Sequence, residues 1–245
     1  MKNLQVANLS LSFAERKILD NVSFNLSERS RTALAGANGC GKSTLFKAVA
    51  GIIESDSMSI SATKDARISY LPQSDICFPG ETVYEAAEKG YERFLPKIEE
   101  LHQLENSLGR DPDEDMKSAV RISELHDELL DSGYYERKSR IGTILMGLGF
   151  REKDFTMPTE TFSGGWQMRI ALAKVLIENP DFLLLDEPTN YLDIEALTWL
   201  EEYLRGFHGG LMLVSHDQDF LDNTVNIVYE LFNGHLKEYS GNYSK

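Results

Sequence analysis

Apolar and polar residues alternate in short bursts over the first part of the chain. Between Leu4 and Leu26 the apolar side chains recur at every second position, with polar residues between them. A period of two is typical of strands that bury one face and leave the other in water. We therefore predict half-buried, antiparallel strands over this segment.

Three later apolar runs show no alternation. They lie at residues 31–35, 182–185 and 210–214. An uninterrupted apolar run is typical of a parallel strand that is covered on both faces. Shorter runs at 58–60 and 67–71 predict two more strands. Asn233-Gly234, between apolar runs at 225–231 and 235–239, predicts a closing hairpin.

Between residues 81 and 149 the apolar side chains recur every three or four positions, as in Ile122, Leu125 and Leu129. This spacing predicts amphipathic helices. The break at residues 109–112 indicates an antiparallel helical hairpin over roughly 92–131. Helices are also predicted at 42–50, where Gly51 would follow the last turn, and from about 164 to 178. The whole pattern predicts an α/β fold.

Composition and charge narrow the class of protein. The 245 residues include 25 basic and 39 acidic ones, a net charge of −14, which argues against a general nucleic-acid-binding surface. Cys40 and Cys77 have neither metal-ligand spacing nor partners for a disulfide framework. With no apolar run of bilayer length and no signal-peptide pattern at the start, we expect a cytoplasmic protein.

The sequence GANGCGKST, at residues 36–44, fits the phosphate-binding pattern G-x-x-x-x-G-K-[ST]. Its candidate nucleotide-binding residues are Gly36, Ala37, Asn38, Gly39, Cys40, Gly41, Lys42, Ser43 and Thr44. Glycines allow successive backbone N–H groups to face a polyphosphate, and the following helix adds the positive end of its dipole. Lys42 would reach the β- and γ-phosphates, and the Ser43 hydroxyl would bind Mg²⁺. Because a predicted strand precedes this loop and a helix follows it, a chance match becomes a poor explanation.

Acidic and basic candidates follow two of the buried runs. Asp186 and Glu187 end the run DFLLLDE, where a P-loop enzyme places a magnesium-binding Asp. Asp186 would hold Mg²⁺ through water, and Glu187 would orient and deprotonate the attacking water. His216 follows the run at 210–214 and is placed to donate a hydrogen bond to a γ-phosphate.

Three further features are weak by themselves. Ser163, Gly164 and Gly165 precede a helix and could present free N–H groups to an anion, although Ser is also a common N-cap. Phe13 suits either packing at a strand end or stacking on a purine base. Gln73, after a predicted strand, is by itself an ordinary polar loop residue.

Taken together and in this order, these residues resemble the nucleotide-binding domain of ATP-binding cassette (ABC) proteins over essentially the whole chain. Phe13 matches the adenine-stacking aromatic, residues 36–44 the Walker A loop, and Gln73 the Q-loop glutamine, which also binds the metal. Ser163, Gly164 and Gly165 match the signature, Asp186 and Glu187 Walker B, and His216 the switch histidine. The resemblance implies a Mg²⁺-dependent ATPase in which each ATP lies between Walker A of one cassette and the signature of another. An isolated cassette is then expected to bind ATP and to hydrolyse it slowly.

The resemblance also implies the architecture. We expect a P-loop NTPase core with a mostly parallel sheet, an antiparallel β subdomain and an inserted α-helical subdomain. The ATPase core and β subdomain would comprise residues 1–75 and 162–245, and the insertion 76–161, all within one domain.

Within the superfamily the chain is most similar to the ABC-F branch, whose members lack membrane domains and act on ribosomes. The segments that carry this are FSGGWQMRIALAKVL, LLLDEPTNYLDIEALTWLEEYL, LVSHDQDFLDN and the closing YSGNYSK. The hairpin at 92–131 occupies the position of the ABC-F arm. This branch implies a second cassette and a ribosome as partners, and we expect the chain to be the N-terminal part of a longer protein.

Two departures from the ABC-F pattern are visible. Tyr191 stands where the branch commonly has histidine. Residues 88–138, which include the expected arm, carry 8 basic and 14 acidic side chains, whereas an arm that contacts rRNA should be basic. The ATPase subunit of a membrane transporter, with a membrane protein docked near Gln73, therefore stays open as an alternative. A cassette used for assembly or for DNA maintenance is a third.

Overall fold

The long alternating segment forms an antiparallel sheet of its own. A computed structural model describes residues 2–74, 76–109 and 112–244, without the side chains of residues 112 and 113. Strand β1 (Asn3–Phe13) pairs with β2 (Arg16–Ser27) on one side and with β4 (Ser57–Ala62) on the other. The alternation slips at Asn8 and Asn21, which both have positive φ and lie at irregularities of the ladder. The predicted antiparallel strands are confirmed.

The uninterrupted apolar runs form a second sheet of six strands in the order β5-β6-β7-β3-β8-β9. The strands are β3 (Arg31–Ala35), β5 (Ile68–Leu71), β6 (Phe182–Asp186), β7 (Gly210–Val214), β8 (Ile227–Phe232) and β9 (His235–Ser240). The first five strands in this order are parallel, and β9 pairs with β8 as an antiparallel hairpin. Asn233 and Gly234 both have positive φ in the turn between them, as a tight hairpin requires. The predicted α/β class is thus confirmed.

Eight α-helices are found in the part of the chain that the structure describes. They are α1 (Lys42–Val49), α2 (Val83–Glu88), α3 (Leu95–Ser107), α4 (Pro112–Asp131), α5 (Arg137–Gly147), α6 (Gly164–Glu178), α7 (Ile194–Gly206) and α8 (Gln218–Thr224). Short 3-10 turns connect α2 to α3 and α4 to α5.

The predicted hairpin corresponds to α3 and α4, which pack against each other. Arg121 on α4 forms an ion pair with Glu100 on α3, with 2.7 Å between Nε and Oε1. The buried side chains of Leu101, Leu125 and Leu129 attach the hairpin to the rest of the core. Of the predicted break at 109–112, residues 110 and 111 lie outside the described residues.

Strands β3, β6 and β7 of the six-stranded sheet are buried on both faces, which explains their uninterrupted apolar runs, whereas β9 at the edge of the sheet is mostly exposed. Leu183 and Leu185 of β6 point to a core shared with α2–α6. Phe182 and Leu184 point to the opposite core, which is shared with α1 and the antiparallel sheet. Because both faces of these central strands are covered, a site on them must lie at their carboxyl or amino ends.

Candidate functional site

A cavity of about 300 Å³ opens at the carboxyl ends of β3, β5, β6 and β7. Its lining residues are Ile18, Asn38, Gly39, Gly41, Lys42, Ser43, Thr44, Gln73, Asp186, Glu187, Val214 and His216. The fold therefore brings together the glycine loop, the two acids, the glutamine and the histidine that the sequence placed far apart. Gly36, Ala37 and Cys40 belong to the same loop without lining the cavity.

The glycine loop has a backbone that other residues would strain. Gly36 and Gly41 have φ values of 148° and 112°, in the region that L side chains rarely adopt. A Cβ atom on Gly36 would lie 2.5 Å from the Leu231 carbonyl oxygen, and one on Gly41 2.7 Å from Ile18 Cγ2. The loop is thus packed too closely for side chains at these two positions, and α1 begins directly after Gly41.

Lys42 is held inside the loop. Its Nζ donates hydrogen bonds to the Gly36 carbonyl oxygen at 2.7 Å and to the Ala37 carbonyl oxygen at 3.1 Å. These bonds place the ammonium group across the mouth of the loop. The positive charge and the start of α1 together favour an anionic ligand there.

Asp186 ends β6 and is 2% exposed. The Tyr70 hydroxyl, from the neighbouring strand β5, donates a hydrogen bond to Asp186 Oδ2 at 3.3 Å. Burial, together with the charge of Asp186, raises the pKa of Tyr70 well above its ordinary value, so the phenol stays a donor. Tyr70 therefore orients one carboxylate oxygen of Asp186.

Glu187 combines a strained backbone with a buried carboxylate. Its φ is 54°, and its backbone N–H donates to the Val214 carbonyl oxygen at 2.9 Å. The residue is 5% exposed, and its Oε2 has no hydrogen-bond partner among the described residues. Burial raises the pKa of the Glu187 carboxyl, although the nearby His216 acts in the opposite direction. A buried carboxylate with one oxygen unpartnered is well suited to accept a proton.

His216 lies at the rim of the cavity. Its Nε2 is 3.3 Å from Glu187 Oε1, while two thirds of its side chain is exposed. The loop that carries it is fixed by Ser215, whose Oγ lies 2.9 Å from Thr189 Oγ1 and accepts the backbone N–H of Asp217 at 3.0 Å. The imidazole can therefore contact a ligand in the cavity without losing its support.

The donor set fits a magnesium-nucleotide. Ser43, Gln73 and Asp186 all line the cavity, and their hydroxyl, amide and carboxylate groups have the oxygen atoms that Mg²⁺ prefers as ligands. In the described part of the chain no three His, Cys, Asp or Glu residues form a metal-binding group. A metal here would accordingly take part of its ligand shell from phosphate oxygens and water, as Mg²⁺ does in nucleotide sites.

Four candidates lie away from this cavity. Ser163, Gly164 and Gly165 begin α6, and Phe13 is a 56% exposed residue at the end of β1; none of them is among its lining residues. A Cβ atom on Gly165 would lie 3.1 Å from Cδ1 of Tyr191, so the loop after β6 covers this glycine closely. The signature segment and the glycine loop therefore do not form one closed site within the chain.

Arg169 is a positioning residue that the sequence did not reveal. It is 7% exposed on α6, and its guanidinium donates to the carbonyl oxygens of Tyr191 at 2.8 Å and Leu148 at 2.9 Å. A third bond, at 3.0 Å, reaches Asp193 Oδ2. One side chain thus joins the signature helix to the loop that follows Glu187.

Ile18 and Tyr70 were also missed as site residues. Ile18 reaches the cavity from β2, and Tyr70 reaches Asp186 from β5. Their positions in the alternation of their strands predicted only that they belong to a sheet. Nothing in the sequence indicated which residues of β2 and β5 lie beside the glycine loop and Asp186.

Comparison with known proteins places this geometry in a family context. The sequence model of the family described as "ABC transporter" matches residues 19–190. Two relatives from Bacillus subtilis (strain 168) carry the name "Uncharacterized ABC transporter ATP-binding protein". YfmM is 35% identical over 244 residues, which are 99% of this chain and 47% of YfmM. YfmR is 35% identical over 243 residues, which are 99% of this chain and 38% of YfmR. The chain thus spans less than half the length of either relative.

A solved structure described as the ATP-binding subunit of an ABC transporter has the same fold. It aligns with a TM-score of 0.74 at 20% identity, covering 97% of this chain and 89% of its own. No helix within the described residues has the length and apolar character needed to cross a bilayer.

Proposed function

The chain belongs to the ABC transporter family, and from this membership and the geometry of the glycine-loop cavity we propose that it binds Mg²⁺-ATP and hydrolyses it. The observation that carries the proposal is the unpartnered Oε2 of buried Glu187 in the same cavity as the glycine loop. A P-loop by itself supports only nucleotide binding, whereas a buried base beside it supports hydrolysis.

The residues divide the chemistry among themselves. The loop N–H groups and Lys42 bind the phosphates. Ser43, Gln73 and Asp186 would hold Mg²⁺, whose positive charge would neutralise the negative charge that develops on the phosphate. Glu187 takes a proton from the attacking water as the new P–O bond forms, and the bond from the γ-phosphorus to the bridging oxygen breaks to leave ADP. His216 donates a hydrogen bond to a γ-phosphate oxygen and limits the movement of the Glu187 side chain.

The site is proposed to be completed by a second cassette. Ser163, Gly164 and Gly165 are not among the residues that line the chain's own cavity. Because they begin α6, their N–H groups have no partner within the helix and would contact ATP held by a partner. ATP would then bind the closed pair more tightly than the open one, and its hydrolysis would release the pair. Phe13, exposed at the end of β1, is proposed to stack on the adenine.

At the biological level we propose that the chain is a cassette of an ABC-F type protein that acts on the ribosome. Support comes from the segments PTNYLD and YSGNYSK and from the α3–α4 hairpin between Gln73 and Ser163. Relatives more than twice as long as this chain also leave room for a second cassette. The alternative is an ATPase subunit of a transporter, which the family description and the exposed Gln73 favour.

Glu187→Gln tests the ATPase and the ribosome proposals together. The amide keeps the shape of the side chain but cannot accept a proton, so we expect ATP binding to persist while hydrolysis falls by about a hundredfold or more. Trapped with ATP, this variant should sediment with ribosomes through a sucrose cushion, and Lys42→Ala, which loses a phosphate contact, should not.

Normal hydrolysis by Glu187→Gln would show that Glu187 is not the base. Loss of hydrolysis without any ATP-dependent sedimentation would contradict the ribosome proposal and leave the ATPase proposal intact. Binding of the trapped variant to a membrane protein in its place would establish the transporter alternative.

A further inference from the structure

A second charged surface lies at the end of the parallel sheet opposite to the glycine loop. Two adjoining cavities of about 270 and 340 Å³ share Arg29 and His208. They are lined by residues at the amino ends of β3, β5, β6 and β7 and by Asn223 and Thr224 at the end of α8. We call Lys2, Arg29, Arg31, Arg67, Arg205 and His208 the basal face.

The basal face is positive on a chain that is strongly negative. Its two cavities are lined by five arginine or lysine side chains against the two carboxylates Glu28 and Asp181. The chain as a whole has a net charge of −14. Cations are thus concentrated at one end of the sheet, where they form an attractive field for anions.

Arg31 has only neutral hydrogen-bond partners among the described residues. Its guanidinium donates to the carbonyl oxygens of Ser30 at 3.0 Å and Gly209 at 2.8 Å, and also to that of Phe207. Burial and the neighbouring charge of Arg29 both lower the pKa of Arg31. Two like charges are therefore held close together with no carboxylate bound to the inner one.

The outer cations are partly neutralised and partly free to bind. Asp181 accepts Lys2 at 2.7 Å and lies 3.8 Å from Arg67 Nε, so it screens both. Arg29 and Arg205 are exposed and form no ion pair with the described side chains. These two guanidinium groups are the ones best placed to bind an external anion, each with five N–H donors in a fixed fork.

We propose that the basal face binds the phosphodiester backbone of structured RNA through Arg29 and Arg205. The choice of RNA rests on the proposed ribosome function, which brings this chain to a surface rich in phosphate. None of the described residues that line the two cavities is a large, exposed hydrophobic side chain. The face therefore lacks the apolar side chains that a membrane-binding surface inserts into lipid, and it lacks exposed aromatic side chains on which bases could stack. We accordingly expect it to bind RNA without sequence preference.

This site is compatible with ATP binding. The glycine-loop cavity lies at the carboxyl ends of the parallel strands, and the basal face at their amino ends. RNA and ATP can therefore be bound at the same time, with the sheet between them.

The test compares Arg29→Glu/Arg205→Glu with the parent chain. Binding of a fluorescein-labelled RNA hairpin is measured by anisotropy, without ATP, between about 50 and 200 mM salt. We expect the double variant to bind the RNA at least about tenfold more weakly than the parent. The slope of log affinity against log salt concentration should be smaller in magnitude by about 2, because two phosphate contacts are lost. Arg29 has a φ of 62°, which is unfavourable for any residue with a Cβ atom. Glutamate has a Cβ atom as arginine does, so the substitution adds no new backbone strain. ATP affinity equal to that of the parent verifies that the variant is folded.

Lys138→Glu/Lys153→Glu is the matched control, because it changes the net charge equally at exposed positions of the helical layer. Equal weakening by the two double variants would overturn the proposal, since net charge alone would then explain binding. Parent binding that is unaffected by Arg29→Glu/Arg205→Glu would overturn it as well. So would full competition by inorganic phosphate at the concentration of the RNA phosphates, or binding to phosphatidylserine vesicles in place of RNA.

The RNA measurement contains no ribosomes, so the two proposals can fail separately. A parent chain that binds RNA through the basal face but does not sediment with ribosomes would support this inference and contradict the ribosome proposal. A parent chain that sediments with ribosomes, but binds RNA equally well after both arginine substitutions, would do the reverse.

Discussion

At the scale of single residues, Glu187 has the least favourable environment of the catalytic candidates. A non-glycine residue at a φ of 54° carries a conformational cost on the order of 1–3 kcal/mol. Burial of its carboxylate adds a further penalty for the charged form. Both energetic costs occur at the residue that the proposed mechanism makes the base, as is common where activity is selected at the expense of stability.

Glu187→Gln is therefore expected to stabilise the chain at high pH. Because burial raises the pKa of Glu187 in the folded state, its contribution to stability is present below the ordinary carboxyl pKa of 4.5 and is lost as the pH rises through the raised value. Glutamine does not ionise. Urea unfolding should show the variant more stable than the parent at pH 8, with a smaller difference at pH 4.

Glu85→Gln provides a control of opposite sign. The Thr82 backbone N–H and hydroxyl donate to the Glu85 carboxylate and lower its pKa. Its contribution is present at high pH and is lost as the pH falls through the lowered value, so this variant should be less stable than the parent at pH 8. The same sign for the two variants, or no pH dependence for Glu187→Gln, would contradict the assignment.

Residues whose role depends on a local pattern could be predicted from the sequence, and residues whose role depends on tertiary contacts could not. Lys42 and Asp186 follow from the glycine loop and from the end of an apolar run. Tyr70 and Arg169 act on groups 116 and 22 residues away, at Asp186 and Tyr191. Their sequence neighbours carry no sign of those contacts.

At the scale of elements, helices α5 and α7 approach each other through a glycine. A Cβ atom on Gly147 would lie 2.0 Å from Cε2 of Trp199. The Trp199 ring also packs against the tilted ring of Tyr203 on α7, with centroids 5.3 Å apart, so it cannot move away freely. The distance between the two helices is therefore limited by the absence of a side chain at this position.

Gly147→Ala is expected to lower the free energy of unfolding by about 2–3 kcal/mol, because the added methyl group forces Trp199 or a helix to shift. Gly142→Ala on the same helix is the matched control. Its Cβ would be 3.8 Å from Phe155, an ordinary contact, so alanine should stabilise α5 by about 0.5–1 kcal/mol. Urea unfolding followed by circular dichroism measures both, and equal effects would show that the close approach has no energetic weight.

The helical hairpin shows which features the spacing of apolar residues can predict and which it cannot. The three- and four-residue spacing predicted two helices between 92 and 131, and they are present as α3 and α4. Periodicity could not predict that a 3-10 turn, Lys89–Phe94, precedes α3. In that turn Tyr91 and Phe94 pack against Tyr134, which follows the hairpin, so the contact joins residues 40 or more positions apart.

At the scale of the molecule, the nucleotide cavity and the signature segment are separate surfaces. If the proposed second cassette completes the site, the rate of ATP hydrolysis per chain should rise with chain concentration, since two chains must meet. Phosphate release measured from nanomolar to micromolar concentrations tests this. Rapid turnover that is independent of concentration would show that one chain hydrolyses ATP alone.

The net charge of −14 predicted that the chain has no general nucleic-acid-binding surface, and the proposed basal face departs from that prediction. The basal face could not be predicted, because Lys2, Arg29, Arg67 and Arg205 are dispersed over 200 positions. These side chains come together only because parallel strands place all their amino ends at the same end of the sheet. A local cluster can therefore be cationic while the total charge is strongly negative.

The strand order also constrains how the chain can fold during its synthesis. Strand β3 lies between β7 and β8, which follow it by about 180 and about 196 positions. The antiparallel sheet can form once β4 has left the ribosome, whereas β3 has no neighbour to pair with until β7 has been translated. During that interval both edges of an apolar strand remain unpaired, and such edges promote association between nascent chains. Strand β3 therefore stays without a partner strand for the time needed to translate residues 36–214, and the risk of association between nascent chains lasts as long.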